Sequence, residues 1–321
     1  MNTLLRGVTA LLVLVICLPI VAQNALRDGE LSVMTYNVQN FFDVFDSPYT
    51  GDEGTSVKAR NQVTAIADAI EHADSDVVFF QEIENEAGLV AMVAEQLPES
   101  GFTHAVVTPT NSSRGINLGV LSRVPIISIT SHRWQPFFHP DDPGPRGETF
   151  YFARDLQEVV LDLGDGQTLT VFNVHLKSNR DSEGDPNSMT WRTAEAKRVK
   201  DAVREKLTED ADAWVLAVGD FNSDYMETPG RDRKWPAMTY VFAPEQDGSR
   251  ALIDVHADLP RSKRATLPGS NFYPPATFDF ILASPAFAKR LVRGSAEVIH
   301  DEKLTTGSDH FPVVATFRVA E

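Results

Sequence analysis

Trp214-Val215-Leu216-Ala217-Val218-Gly219-Asp220-Phe221-Asn222 (214–222) runs through five apolar residues and then, with no linker, delivers a glycine, a carboxylate and an amide. An uninterrupted apolar run of this length, bounded by a turn signal, reads as a strand buried on both faces, as in a sheet covered twice. Asp220 and Asn222 then stand at its end. Their spacing of two puts both side chains on one face if the strand conformation continues. Gly219 either lets a ligand approach the backbone or marks a plain turn.

The same arrangement recurs along the chain. TYNVQNF (35–41), FFQEIEN (79–85), FNVHLKS (172–178) and TGSDHFP (306–312) each place Asn, Glu, His or Asp where a hydrophobic run stops. Taken singly, Glu82 reads as a structurally paired carboxylate or as a cation ligand, and Asp309-His310 as a surface pair. Together they point to one site assembled from distant segments, with oxygen ligands and imidazoles suited to a hard metal ion and a phosphate.

Between these clusters the periodicity predicts strands at Leu31–Asn37, Asp76–Glu82, Ile116–Ser122, Ile126–His132, Leu156–Leu163, Thr168–His175, Phe278–Ala283, Ala296–Ile299 and Val313–Val319. Helices are predicted at Val57–His72, Glu86–Leu97 and Met189–Leu207. Gly164-Asp165-Gly166 is a hairpin signal. Many strands and few helices imply large mixed sheets with helices on their outer faces, the two inner faces packed together. A single domain is expected, because the polar clusters form a site only if residues 37 and 310 meet.

The chain has 321 residues, 42% hydrophobic, with 19 Gly and 19 Pro, which suits a globular protein with a sizeable core. Arg6, the apolar run Val8 to Ile20 and small Ala22 read as a signal peptide over residues 1–22, cleaved to leave a single domain over 23–321. An uncleaved anchor is the alternative, and a secreted or periplasmic location is expected. Cys17, the only cysteine, lies in that segment, so thiol catalysis and cysteine metal sites are excluded for the remainder. The formal net charge of −16 argues against tight non-specific duplex binding, while leaving room for a nucleic-acid enzyme with a local basic rim.

In order and content these clusters resemble the endonuclease/exonuclease/phosphatase superfamily, from about Leu31 to Phe317. Gly219-Asp220-Phe221-Asn222 and Ser308-Asp309-His310-Phe311-Pro312 are the most specific pieces. The resemblance implies an α/β fold, a four-layer α/β/β/α sandwich of two mixed β-sheets. It implies Mg²⁺, with Mn²⁺ or Ca²⁺ as alternatives, held by Glu82, Asn37 and Asp309. Asp220 would orient or deprotonate water, and Asn222 would hold a phosphate oxygen or the nucleophile. His175 and His310 would donate to the phosphate, with Asp279 pairing His310. Arg114 and Asn117 resemble the segment leading into a strand beside the cleft, with Arg114 read as a phosphate contact or a surface arginine. Lys177 supplies a basic rim or belongs to a solvated loop.

The implied activity is a secreted, metal-dependent phosphodiesterase, foremost a nuclease on DNA or RNA. A phospholipid (sphingomyelinase-like) or small phosphate ester is the alternative substrate, and a non-catalytic binding module the remote one. No obligate protein partner is evident, and a monomer is expected. Gln39 stands where abasic-site endonucleases carry Asp, which weakens a repair assignment. Trp134–Phe152 is rich in aromatics and reads as packing under a long loop, or as a cleft-side hairpin that stacks bases or touches lipid. Arg192 and Arg198 read as surface charges or ion-pair partners.

Overall fold

A computed structural model describes residues 26–45, 47–141, 149–224, 236–270, 274–303 and 306–320. The signal-peptide reading of residues 1–22, the Pro/Gly turn at 142–148 and most of the polar loop at 224–238 lie outside the described residues.

The chain begins with β1 (Glu30–Phe41), α1 (Arg60–Ala73), β2 (Val77–Ile83), α2 (Glu86–Gln96), β3 (His104–Thr108) and β4 (Asn117–Ser122). It continues through β5 (Ile126–Ser131), β6 (Phe137–Phe138), β7 (Thr149–Phe150), β8 (Leu156–Gly164), β9 (Gln167–His175) and α3 (Met189–Glu209). The last elements are β10 (Val215–Asp220), α4 (Pro236–Phe242), β11 (Ile253–Asp254), β12 (Asp279–Ala283), α5 (Pro285–Ala288), β13 (Glu297–Val298) and β14 (Val313–Arg318).

Two six-stranded mixed sheets result, in the orders β13-β14-β1-β2-β4-β3 and β11-β12-β10-β9-β8-β5. The layers follow from the alternation within each strand. Val33, Phe79, Val171, Leu216, Val218, Ile281 and Phe317 fill the core between the sheets. Their neighbours of opposite parity, Met34, Tyr36, Val78 and Phe80, pack under α1 and α2 with Ile66, Ile70 and Leu89. Phe172, Val215 and Ala217 pack with Ala196, Val199 and Val203 of α3. Three apolar interfaces separate four layers, α/β/β/α.

The site edge is set by the parallel pairs. β1 runs parallel to β2 through α1, and β9 runs parallel to β10 through α3. All four therefore end at the same edge of the sandwich. β12 and β14 run antiparallel to β10 and β1 and so begin there. Below that edge, Gln81, Asn173 and Gln157 bridge the sheets. Gln81 Nε2 donates to Asn173 Oδ1 at 2.8 Å, and Asn173 Nδ2 to Gln157 Oε1 at 3.0 Å.

Most elements coincide with their sequence signals. The β8–β9 turn has Asp165 and Gly166 at φ 51° and 79°, the two left-handed residues of a tight hairpin. β3 has no alternating signal because every residue of this edge strand is half-buried. In the aromatic stretch, Phe137–Phe138 and Thr149–Phe150 pair antiparallel as the two-stranded sheet β6-β7, the hairpin alternative.

Candidate active site

The floor of the site is one rung of the second sheet. Asp220 on β10 is paired with His175 on β9 and with Asp279 on β12, so the three side chains share a face. Leu216 and Val218 point into the inter-sheet core, and Asp220, two residues on, points the same way. Leu31 and Val33 do so from the other sheet, and Asn37 continues their face. The two ends meet: Asn37 Nδ2 donates to Asp220 Oδ2 at 3.0 Å.

Asn222 reaches the same carboxylate by a route the strand reading does not give. β10 stops at Asp220, and Asn222 is left-handed at φ 48°. That turn lets its backbone N–H donate to Asp220 Oδ1 at 2.7 Å and its Nδ2 to Oδ2 at 3.2 Å. Gly219 also has a reason other than ligand access. At φ +125°, a Cβ there would lie 2.1 Å from the Val174 carbonyl oxygen of the neighbouring strand.

Two buried imidazoles flank Asp220 with opposite charge states. His175 Nε2 lies 3.4 Å from Asp220 Oδ2. Burial, together with the charges of Arg154, His310 and Arg114, holds His175 well below its ordinary pKa, hence neutral. His310 Nδ1 donates to Asp279 Oδ2 at 2.7 Å, and its Nε2 stands 4.0 Å from Asp220 Oδ2. Burial acts to lower His310, but the charge and hydrogen bond of Asp279, with Asp220 and Asp309, carry it up to about 10. His310 is therefore an imidazolium at neutral pH. Asp220 is itself raised well above the usual carboxylate range, by burial and by Asp279.

Glu82 enters from a bulge. Its φ of 66° coincides with a register shift between Gln81 and Ile83. Its Oε2 accepts the Asn40 N–H at 2.9 Å, and Oε1 lies 3.9 Å from His175 Nε2. Gln39 and Asn40 are also left-handed, at φ 47° and 54°. Buried Lys58 fixes this segment by donating to the Val38 and Gln39 carbonyls at 2.8 and 2.6 Å. Burial lowers its pKa to about 8, against the opposing charges of Asp309 and Glu82.

Two donor sets compete for a cation. Ligand atoms of Asp220, Asp279 and His310 lie within 4.8 Å of one another. A protonated His310 has no lone pair to offer, however, and Asp279 is engaged with it. Glu82, Asp309 and Asn37 all line the cleft and are oxygen donors, the chemistry a hard divalent ion requires. The second set has the donor chemistry for such an ion; the first is a buried cluster in which an imidazolium stands between two carboxylates.

Above this floor opens a cleft of about 1030 Å³. Arg114, Lys177 and Arg154 line it. Arg114 Nη2 donates to Asn40 Oδ1 at 2.9 Å, and the Lys177 ammonium lies 5.6 Å from the Trp191 ring centroid. Asn117 is not brought to the cleft. Its Oδ1 accepts the Thr110 N–H at 2.9 Å and its Nδ2 donates to the Glu84 carbonyl at 2.7 Å, pinning the loop that carries Arg114.

Sequence reading passed over Arg154. It precedes β8 with no polar cluster to mark it, and only the fold sets it beside His175. Glu195 of α3 was equally invisible. Fully buried, it accepts the Ala153 N–H at 2.7 Å and the Lys177 N–H at 2.6 Å, fastening both walls of the cleft. Arg192, expected at the surface or in an ion pair, is only 1% exposed and donates to the Lys177 and Asn187 carbonyls at 3.0 Å. Arg198 is buried too and pairs with Glu205 at 3.0 Å. The aromatic stretch divides. Phe137, Phe150 and Phe152 are packed inward, whereas Trp134 and Tyr151 stay exposed at the cleft.

Comparison with known proteins finds both a matching family and a shared fold. Residues 34–310 match the Endonuclease/Exonuclease/phosphatase family. Among curated proteins none matches the chain. Solved structures with the same fold include an endonuclease/exonuclease/phosphatase from Beutenbergia cavernae, at 20% identity and TM-score 0.60, covering 90% of this chain and 71% of that one. The human Nocturnin catalytic domain with bound sulfate anion shares 14% identity at TM-score 0.58, covering 90% and 94%. D. rerio TDP2 complexed with single strand DNA product shares 17% at TM-score 0.57, covering 90% and 99%.

Proposed function

From a chain that belongs to the Endonuclease/Exonuclease/phosphatase family, whose members are metal-dependent phosphoric ester hydrolases, we propose a nuclease that hydrolyses phosphodiester bonds of DNA or RNA. The observation that carries the reading is Asp220: one buried carboxylate receives donors from both sheets and stands between a neutral and a charged imidazole. In the proposed mechanism its raised proton affinity lets it accept a proton from attacking water. Asn37 and Asn222 hold its oxygens in place. His310 Nε2 gives its proton to the leaving oxygen, and Asp279 keeps the ring charged. Neutral His175 donates a hydrogen bond, and Arg114, Arg154 and Lys177 draw the phosphate into the cleft.

Glu82, Asp309 and Asn37 would hold the divalent cation, in our reading Mg²⁺ with Mn²⁺ or Ca²⁺ able to replace it. That ion supplies positive charge against the phosphoryl oxygens. Support for a nucleic acid comes from the cationic cleft and from D. rerio TDP2, a structural neighbour captured with single strand DNA product. A phospholipid or small phosphate ester is the second reading, motivated by Phe45 and Tyr49, which stand 77% and 94% exposed in the loop after β1.

The test is a metal-supplemented screen over DNA, RNA, sphingomyelin and phosphate monoesters. Acid-soluble nucleotide release abolished by EDTA is expected. Intact DNA and RNA with cleaved sphingomyelin would transfer the activity to lipid.

The proposal extends to export, on the strength of residues 1–22. Among the described residues no helix is long and apolar enough to cross a membrane. Export predicts a mature protein beginning after Ala22 in the periplasm or medium. A cytosolic product retaining Met1 would overturn it.

A further inference from the structure

The wall of the cleft beside Lys177 is aromatic. Trp134, Tyr151 and Trp191 line it, and Trp134 and Tyr151 are 68% and 42% exposed. Large rings left in water on a folded protein forgo burial that would stabilise them, so an exposed pair inside a cleft calls for an occupant.

These rings stand on fixed backbone. Asn111 Nδ2 donates to the Arg133 carbonyl at 2.8 Å and to the Phe152 carbonyl at 2.9 Å, stapling the residues next to Trp134 and Tyr151 to one point. The Trp191 indole donates to the Tyr151 carbonyl at 2.8 Å. Below them Phe137 packs on Phe152 at 4.9 Å between centroids. Each tryptophan also carries a cation, Arg133 at 5.3 Å from the Trp134 ring and Lys177 at 5.6 Å from that of Trp191.

Resting on the phosphodiesterase reading above, we infer that Trp134, Tyr151 and Trp191 form a stacking platform for unpaired bases, so that the enzyme acts on single-stranded nucleic acid. A flat ring on a pre-organised backbone, with cations placed for the adjoining phosphates, is how base faces are bound without sequence readout. Duplex bases have no free faces to offer. A chain of net charge −16 also lacks the broad cationic surface that a duplex needs. A lipid surface would engage the aromatics outside the cleft, such as Phe45, rather than rings inside a polar one.

The test is a tryptophan-fluorescence titration with oligo(dT), oligo(rU) and an equally long abasic sugar-phosphate strand. It is run in EDTA, and again with Mg²⁺ in the Asp220→Ala variant. Quenching by the base-bearing strands is expected, with the abasic strand binding about tenfold or more weakly. Trp134→Ala and Tyr151→Ala should weaken oligo(dT) by a similar factor and leave the abasic strand unchanged. Trp134→Phe should restore most of the loss, and Phe45→Ala should change nothing. Trp134 and Tyr151, the two side chains replaced, are exposed, so the variants should melt like the parent. Equal affinity for base-bearing and abasic strands, or oligo(dT) binding untouched in both alanine variants, would overturn the inference. A wild-type protein that hydrolyses no phosphodiester would instead remove the activity reading, while the titration still decides the platform.

Discussion

Asn37 and Asp220, 183 positions apart and on different sheets, share a 3.0 Å hydrogen bond at the floor of the cleft. It favours the ionised carboxylate, since Asn37 offers an N–H that a protonated acid would accept less well. The Asn37→Ala variant should therefore bind a proton at Asp220 more tightly. We expect kcat to fall by about 10- to 10²-fold and the acid limb of the pH–rate profile to move up. An acid limb in its original place would separate Asn37 from the ionisation of Asp220.

Activity should rise with pH as Asp220 loses its proton, at a value above the ordinary carboxylate range, and fall as His310 loses its own near pH 10. Asp279 is what raises His310, so Asp279→Asn should bring the alkaline limb down towards the histidine value of about 6.5. The kcat/KM profile of the two proteins side by side makes the check. Superimposable alkaline limbs would mean that His310 is not the group titrating there.

Glu82→Ala should shift the metal dependence rather than abolish turnover at saturating cation. Its carboxylate is anchored by the Asn40 N–H, and the Lys58 ammonium feels its charge. Losing it removes one of two carboxylates offered to the ion, and a rise of at least about tenfold in the half-saturating Mg²⁺ concentration is expected. An unchanged titration would take Glu82 out of the ligand set.

A fourth prediction concerns stability away from the cleft. His132 lowers the Glu158 pKa to about 2, aided by Lys206 and against burial. The bonds are 2.9 Å from His132 Nε2 and 2.7 Å from Lys206 Nζ. A carboxylate depressed on folding stabilises above its unfolded pKa of about 4.3, and the gain drains away as pH falls through the folded value. Glu158→Gln should cost about 2 kcal/mol near pH 7, and the gap to wild type should narrow near about pH 3. Denaturant melts at the two pH values show it. An equal gap at both would assign the loss to packing.

The site was legible where strand parity carries it. Leu216, Val218 and Asp220, like Leu31, Val33 and Asn37, continue one face into the cleft, and period two is visible in sequence. The four layers were legible because strands apolar at both parities need cover on both sides. What stayed hidden depends on backbone that leaves the pattern. The left-handed turns at Glu82 and Asn222 re-aim side chains that a regular strand would point elsewhere. Arg154, Glu195 and Arg192 act through tertiary neighbours, and α3 shows only ordinary helical charges in sequence. Asn117 lay beside the right loop but serves its backbone rather than the cleft.

The most direct measurement compares acid-soluble nucleotide release by wild type, Asp220→Ala and His310→Ala at saturating Mg²⁺ on one single-stranded substrate. Each variant should lose about 10²-fold or more in kcat when assayed well below its own melting temperature. Turnover within a few-fold of wild type in either properly folded variant would contradict a site built around that buried carboxylate and its charged imidazole.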